Sequence, residues 1–321
     1  MKRRFSLSAA ALLLLIFCFG CRAGFSGVSS SASVPLRITA VLPHRDYGYW
    51  TDISDGILSA KDDFPVDIKI CTPQLNYNIP QMTELIKAAT AARVDAVIVQ
   101  GIDNQDYIKA LEDARSAGVQ VVFIDTDLPQ FGKRLYVGTD NYAAGRLMGE
   151  KLVQLTKGKA RVAVISGAGG YPNLELRLSG LRDAAAAYAG VKILRVDYGN
   201  YDSITVLQKY KEICSSSQNI DAVVCIEGTG ALTFGNMLSE KDKRIQCILG
   251  FDYSNESIKG LSRGIVDGLI LQQIHTMGYL CVQEIDRFVR TGQYSSNMIY
   301  TQTKFITSAD LDQEGHYRYD K

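Results

Sequence analysis

Short runs of β-branched residues alternate with longer segments of helical period along most of the chain, and this alternation restricts the fold more than any other feature. Runs such as VDIKIC (66–71) are typical of buried strands, and segments such as NQDYIKALEDARSA (104–117) are typical of amphipathic helices. Consecutive parallel strands need a crossover connection, which is usually a helix. The pattern therefore predicts an α/β fold with two doubly wound, Rossmann-like parallel-sheet lobes of four or five strands each.

Eleven segments of the chain carry the strand pattern. They span residues 36–42, 66–71, 95–100, 119–125, 135–138, 161–166, 191–197, 221–226, 245–252, 268–273 and 298–306. In open α/β sheets, ligands collect at the carboxyl ends of the strands. The residues directly after these strands are polar or aromatic almost every time, so we expect the binding residues there.

The charge and the distribution of metal-binding residues exclude several functions. The chain has 35 Lys and Arg against 34 Asp and Glu. Binding to nucleic acid needs a concentrated basic excess, so nucleic acid is not the expected partner. His275 and His316 are far apart and lack partners at ligand spacing, so the sequence predicts no metal site. The cysteines beyond the N-terminal segment show no C-x-x-C pairing, which argues against a disulfide framework.

The N-terminal segment has the features of an export signal. Lys2, Arg3 and Arg4 precede an uncharged stretch, residues 5–20, that is shorter than the ~20 apolar residues of a spanning helix. This pattern predicts a signal peptide over residues 1–20 and places the rest of the chain outside the cytoplasmic membrane, at its outer face or in the periplasm.

A lipid anchor is the favoured interpretation of the segment that follows. The sequence CFGC, which ends at Cys21, resembles a bacterial lipobox, in which a small residue precedes a lipidated Cys. The stretch RAGFSGVSSSAS (22–33) is rich in Gly and Ser, as flexible tethers are. We therefore expect lipidation at Cys21 and a flexible tether over residues 21–35, with an uncleaved membrane anchor as the alternative.

A series of motifs past the tether resembles, in order and spacing, the sugar-binding branch of the type I periplasmic binding proteins, the branch of ribose-binding protein. The motifs are YWTDISDG (49–56), VDAVIVQGID (94–103), AGVQVVFIDTD (117–127), VGTDNYAAGRLMG (137–149), ISGAGG (165–170), RLSG (177–180), ILGFD (248–252) and LQQIHTMGY (271–279). The resemblance covers nearly all of residues 36–307. It implies two lobes that close over one small solute, with no chemistry done on it and no cofactor.

The resemblance also implies how the lobes divide the chain. The N-terminal lobe is expected to hold residues 36–127 plus 273–300, and the C-terminal lobe residues 128–272 plus 301–321. The chain crosses between the lobes three times in this family. We place those crossings near residues 126–139, 250–254 and 272–300.

Nine residues are candidate ligand-binding positions, eight of them from the resemblance and Glu227 from its place directly after a predicted strand. Trp50, Tyr49 and Tyr201 are the expected aromatic walls, because the C–H face of a sugar ring suits an aromatic plane. Hydroxyl-binding roles fall on Asp125, Arg177, Asp252 and Gln272, since charged acceptors and a forked donor suit a ring of hydroxyls. Asp103 is an expected cleft or hinge position. Glu227 is the remaining candidate for a ligand contact.

Structural roles remain open for some of these positions. Tyr49 stands at a helix start, where a hydrophobic staple is as good an interpretation as a ligand contact. Asp125 is also a candidate cap for the turn that follows it. Asp140 is better interpreted as an N-cap of the following helix than as a cleft residue.

Two departures from the family pattern bear on the identity of the solute. Thr126 follows Asp125 where the ribose binder carries Arg, and Glu227-Gly228-Thr229 stands where the branch usually shows Asn-Asp. The expected solute is therefore a saccharide or polyol as a class. If Glu227 lines the cleft, an amino sugar or another cationic solute becomes a candidate.

These observations predict an extracytoplasmic solute-binding lipoprotein, not an enzyme, that captures a sugar or polyol for the membrane permease of an ABC transporter. A sugar-sensing lipoprotein that presents its closed form to a membrane sensor kinase is the alternative, because both roles use the same lobe faces. A dinucleotide-dependent enzyme ranks lower. GAGG (167–170) follows a strand as a Rossmann turn would, but Pro172 stands at the third glycine position.

Overall fold

The computed structural model describes residues 34–44 and 48–318. The predicted signal peptide, most of the tether and Cys21 lie outside these residues. The described residues from Pro35 onward form one compact unit. Within the described ranges, no helix has both the length and the apolar character that a membrane span requires. The five cysteines in those ranges are free.

The described residues form twelve strands. They are β1 (Leu36–Val41), β2 (Val66–Cys71), β3 (Ala96–Gln100), β4 (Gln120–Ile124), β5 (Leu135–Thr139), β6 (Ala160–Ser166), β7 (Val191–Tyr198), β8 (Ala222–Cys225), β9 (Cys247–Phe251), β10 (Gly268–Gln272), β11 (Met298–Thr301) and β12 (Thr303–Ile306).

The same part of the chain forms nine α-helices. They are α1 (Gly48–Ser59), α2 (Ile79–Ala91), α3 (Gln105–Ser116), α4 (Asn141–Leu155), α5 (Pro172–Ala186), α6 (Ser203–Ser215), α7 (Gly228–Met237), α8 (Asn255–Ser262) and α9 (Ile274–Thr291). Asn104 and Asp140 cap α3 and α4 through the backbone N–H groups of Tyr107 and Ala143. The expected capping role of Asp140 is thereby confirmed.

Two six-stranded sheets organise these elements into two lobes. The first sheet has the order β11-β5-β4-β3-β1-β2 and is parallel throughout. The second has the order β12-β10-β9-β8-β6-β7, in which only the edge strand β12 runs antiparallel. The two doubly wound α/β lobes predicted from the sequence are confirmed, but each sheet has six strands instead of the four or five expected.

Each sheet is covered by helices on both faces, which explains why its strands are continuous apolar runs rather than alternating ones. Successive side chains of a strand point to opposite faces of the sheet. In β3, Ile98 joins the apolar cluster that contains Ile53 of α1, whereas Val99 joins the cluster that contains Leu111 of α3. Burial of one such side chain contributes roughly 1.5–3 kcal/mol to folding.

The chain passes between the two sheets at three points. Asp140 follows β5 of the first sheet and precedes α4, which packs on α5 of the second lobe. Gln273 separates β10 of the second sheet from α9, which packs on α1 of the first lobe. Gln302 separates β11 of the first sheet from β12 of the second.

These positions correct the boundaries expected from the sequence. Residues 128–139 belong to the first lobe rather than the second, because β5 pairs with β4. No crossing occurs near residues 250–254, since β9 and β10 lie side by side in the second sheet. The segment 298–306 is two strands of different sheets rather than one. Local apolar patterning predicts a strand but does not specify which sheet it joins.

Candidate functional site

A cavity of about 500 Å³ lies at the carboxyl ends of the strands of both sheets. This volume falls within the range of roughly 300–1,000 Å³ that small-molecule sites occupy. Both lobes contribute to its wall. The structure brings eight of the nine residues singled out in the sequence around this cavity: Tyr49, Trp50, Asp125, Arg177, Tyr201, Glu227, Asp252 and Gln272.

Asp103 is the residue that the structure does not place at the cavity. Its side chain is exposed in the turn between β3 and α3. The cavity residue of this segment is Gln100, the last residue of β3. Because β3 ends three residues before Asp103, the chain has already turned away from the cavity there.

Asp125 is the centre of a hydrogen-bond network in the first lobe. Its Oδ1 accepts a hydrogen bond from the Tyr49 hydroxyl at 2.5 Å. Its Oδ2 accepts from Gln100 Nε2 at 2.9 Å and from Thr126 Oγ1 at 2.7 Å. Burial first, and then the Asp125 carboxylate, raise the pKa of Tyr49 well above its ordinary value, so Tyr49 remains a donor. The network fixes the carboxylate in one orientation.

Gln100 presents an unused acceptor beside this network. Its Nε2 donates to Asp125 and Thr126, which orients the amide and leaves Oε1 on the other side. Gln100 is 5% exposed, and Oε1 has no hydrogen-bond partner among the described residues. A buried acceptor without a donor is unfavourable by about 1–3 kcal/mol.

Asp252 occupies the position in the second lobe that Asp125 occupies in the first. Each residue directly follows the fourth strand of its lobe in chain order. The backbone N–H of Asp125 donates to the Val137 carbonyl of the neighbouring strand, and that of Asp252 donates to the Ile270 carbonyl. Both residues have left-handed backbones, with φ of 66° and 67°. This conformation is uncommon outside glycine, although Asp and Asn adopt it more readily than most residues. It turns both carboxylates from their strand ends into the cavity wall.

Arg177, Gln272 and Asp252 form a chain of hydrogen bonds in the second lobe. The Arg177 guanidinium donates from Nη2 to Gln272 Oε1 at 2.9 Å, and Gln272 Nε2 donates to Asp252 Oδ1 at 2.6 Å. Gln272 Oε1 also accepts from Thr139 Oγ1 of the first lobe at 2.6 Å. Gln272 therefore links the cavity to both lobes next to the crossing at Gln273.

Glu227 caps helix α7 and lines the cavity at the same time. Its Oε2 accepts from the Thr229 backbone N–H at 2.8 Å and its Oε1 from the Gly230 N–H at 3.2 Å. The residue is 4% exposed. Burial raises the pKa of Glu227 above its ordinary value, and the Asp252 carboxylate acts in the same direction. Each oxygen retains a second lone pair that a ligand donor can use.

Aromatic rings close the cavity from both lobes. Trp50 is 2% exposed and donates from Nε1 to the Tyr77 hydroxyl at 3.1 Å. Tyr77 stacks on Tyr201 of the other lobe with ring centroids 6.2 Å apart and planes 10° apart. Tyr171 packs edge-on against Tyr201. The cavity thus has aromatic surfaces above a polar floor.

The glycine-rich segment after β6 makes room for one of these rings. A Cβ at Gly167 would overlap the ring of Tyr201. The absence of a side chain at Gly167 is therefore explained by an aromatic contact. This role differs from that of a dinucleotide-binding turn, in which the glycines admit a pyrophosphate.

Gln100 and Tyr77 are the important cavity residues that were not singled out in the sequence. Gln100 could have been found as the last residue of a strand, at the edge where ligands collect. Tyr77 lies in the loop after β2, which is also a carboxyl-end loop. Its left-handed backbone, with φ of 57°, is a tertiary feature with no local sequence signal at a tyrosine.

Known proteins resemble this chain in sequence. The family described as "Periplasmic binding protein domain" matches residues 38–293. A D-apiose import binding protein of Actinobacillus succinogenes is 23% identical over 259 residues, which are 79% of this chain and 82% of that protein.

Solved structures are also similar. GanP, a glucose-galactose binding protein from Geobacillus stearothermophilus, is 28% identical, with a TM-score of 0.79 over 86% of this chain and 99% of GanP. A chain in a XylFII–LytSN complex is 23% identical, with a TM-score of 0.76 over 87% of this chain and 100% of that chain.

Proposed function

Because this chain belongs to the periplasmic binding protein family, as its sequence motifs predicted, we propose that it captures a sugar or a related polyol between its two lobes and delivers it to an ABC transporter. The relatives named above are binding proteins rather than enzymes. Solute capture needs only complementary contacts, and the hydrogen-bonding and aromatic side chains around the cavity support this role.

The observation that carries this proposal is the pairing of aromatic faces with an ordered polar wall. Asp125 and Asp252 enter the cavity from equivalent positions in the two lobes, and Tyr77 and Tyr201 face each other above it. Carboxylates accept hydrogen bonds from hydroxyls, and aromatic planes pack on the C–H face of a sugar ring. Each hydrogen bond from a hydroxyl to a charged group contributes roughly 1.5–3 kcal/mol.

We propose further that the protein works outside the cytoplasmic membrane and is held there by a lipid on Cys21. The support is the family, whose members are periplasmic binding proteins, and the N-terminal sequence pattern. Metabolic labelling with a fatty-acid analogue tests the anchor, because Cys21→Ala should abolish labelling. Labelling that persists in Cys21→Ala would contradict it.

A sensor role is the second candidate. The observation that favours it is the similarity to a chain that forms a complex with LytSN. In a sensor role, a membrane sensor kinase recognises the closed lobes, and a permease does not. Deletion of the gene separates the two roles: loss of solute uptake supports transport, whereas intact uptake with a lost transcriptional response supports sensing.

Thermal unfolding of the purified protein in the presence of sugars and polyols tests the proposed function. A ligand that binds only the native state raises the melting temperature, by an amount that grows with ligand concentration. We expect at least one monosaccharide or polyol to do so, with a dissociation constant that calorimetry then measures. A set of pentoses, hexoses and cyclitols that produces no shift would contradict the proposal.

A further inference from the structure

The described residues of the cavity wall carry an excess of negative charge. Their charged side chains are three carboxylates, Asp125, Glu227 and Asp252, and one guanidinium, Arg177. With His44 and the tyrosines neutral, these groups have a formal charge of −2. A neutral ligand would contribute no positive charge to balance these carboxylates.

Arg177, the one guanidinium among the described wall residues, already makes its hydrogen bonds within the protein. Arg177 donates from Nε to Asn141 Oδ1 at 2.8 Å and from Nη1 to the Ile226 carbonyl at 3.0 Å. Its third bond goes to the neutral amide of Gln272. The guanidinium also lies over the Phe251 ring, with Cζ 4.1 Å from the centroid. It forms no direct salt bridge with any of the three carboxylates.

The carboxylates act on each other as like charges. Burial is the largest cause of the raised pKa values of Asp252 and Glu227. The Asp125 carboxylate adds a small increase for Asp252, against the larger lowering by the Arg177 guanidinium, and the Asp252 carboxylate adds a small increase for Glu227. Like charges that lie near one another repel. A positive group placed among them would remove this repulsion.

An organic cation fits the spacing better than a metal ion does. Within residues 34–44 and 48–318, no three His, Cys, Asp or Glu side chains are grouped closely enough to hold a metal ion. The carboxylates instead surround a volume of about 500 Å³. An ammonium group donates three hydrogen bonds and accepts none, which matches a wall that carries carboxylate oxygens.

We propose that the preferred ligand is a ring polyol that carries an amine, such as an amino sugar, and that Glu227 contributes to the selection of its ammonium group. This inference rests on the proposed function, because it names the chemical class of the solute for the same cavity.

Matched pairs of sugars test the inference. The pairs are D-glucosamine with D-glucose, D-galactosamine with D-galactose, and D-mannosamine with D-mannose. Calorimetry on the purified protein at neutral pH gives a dissociation constant for each sugar. Most of each amine is protonated there, and Glu227 and Asp252, whose pKa values are raised, are more fully ionised than at acidic pH. We expect the amine to bind about tenfold more tightly or better in at least one pair, as a charge-assisted hydrogen bond would provide.

A charge-neutralising variant tests the part played by Glu227. Glu227→Gln keeps an oxygen that can cap α7 but removes the charge, so the preference for the amine should shrink by about tenfold. Glu112→Gln, an exposed change on α3, is the matched control and should leave the preference unchanged. An amine preference that survives intact in Glu227→Gln would overturn the role of Glu227.

The outcomes separate this inference from the proposed function. If a neutral sugar binds as tightly as its amine or more tightly in every pair, the inference is overturned while the proposed function stands. If neither member of any pair binds, and the wider set of sugars and polyols also produces no shift, both are overturned. The wild-type comparison decides the ligand class even if Glu227→Gln fails to fold.

Discussion

Tyr77 and Tyr201 come from different lobes and stack with ring planes 10° apart, although each sits on a left-handed backbone, with φ of 57° and 55°. Their centroid separation of 6.2 Å lies within the range of offset aromatic pairs. Both rings are also partly exposed, at 38% and 40%. Two unfavourable backbone conformations thus serve one contact at the rim of the cavity.

Loss of the Tyr77 ring should weaken ligand binding. Tyr77→Ala removes an aromatic face of the cavity and the acceptor of the Trp50 N–H, so we expect the dissociation constant to rise about two- to tenfold. Tyr77→Phe keeps the ring and should retain most of the affinity. Calorimetry distinguishes the two variants. If both variants lose the same affinity, the effect belongs to the Tyr77 hydroxyl and not to its ring.

Asp125 should be required for binding, and Asp103 should not. Asp125→Asn suits the left-handed backbone at this position, which makes it a milder test than Asp125→Ala. Loss of the charged acceptor should raise the dissociation constant about ten- to hundredfold. Asp103→Asn, an exposed change outside the cavity, should have no effect on ligand-induced thermal stabilisation. An effect of Asp103→Asn equal to that of Asp125→Asn would contradict the geometry of the site.

A single methyl group at Gly167 should disturb the second lobe's aromatic wall. In Gly167→Ala the added Cβ displaces the Tyr201 ring, so we expect affinity to fall about two- to tenfold. Gly169→Ala is the matched control, because a Cβ there lies 3.6 Å from its nearest neighbour, the Tyr198 ring. Dissociation constants and melting temperatures of the two unliganded variants provide the comparison. Equal affinity losses would show that the Tyr201 contact is not responsible.

The buried Glu227 carboxyl should make the stability of the unliganded protein depend on pH. Because burial raises its pKa in the folded state, the native protein holds a proton that the unfolded chain has already released. Stability should therefore decrease as pH rises from the ordinary glutamate pKa of about 4.3 through the raised value. Asp252, whose pKa is also raised mainly by burial, should contribute in the same direction.

Thermal melts across this pH range measure the effect. Glu227→Gln should show a shallower decrease of melting temperature with rising pH than the wild type, together with a pH-independent loss of up to about 1 kcal/mol from the weaker helix cap. The nearby Cys225, Tyr77 and Tyr201 have pKa values raised mainly by burial, so they remain neutral throughout. Identical slopes for both proteins would show that Glu227 does not titrate in this window.

The sequence was informative where function depends on a strand end. Asp125 and Asp252 follow buried apolar runs, so the parallel topology itself places them at the cavity. Asp103 follows such a run as well, but β3 ends at Gln100 and the intervening turn carries Asp103 outward. A shift of three residues decides whether a polar side chain faces a ligand or the solvent, and local patterning does not resolve that shift.

Tertiary contacts account for what the sequence did not predict. The position of Tyr77 depends on the Trp50 N–H and on a backbone bond to the Pro43 carbonyl, neither of which has a local signature. Membership of β5 in the first sheet and the break at Gln302 depend on which strands pair across the molecule. Such pairings are specified by the assembled core rather than by any one segment.

The location of Gln272 has a mechanical consequence. This side chain holds Arg177 and Asp252 one residue before the chain passes between the lobes, so it lies close to the pivot of any rotation of one lobe against the other. Groups near a pivot sweep short arcs, whereas the tyrosines at the rim sweep long ones. A ligand would therefore first contact polar groups that are already close to their final positions. The rings of Tyr77 and Tyr201 would enclose it last.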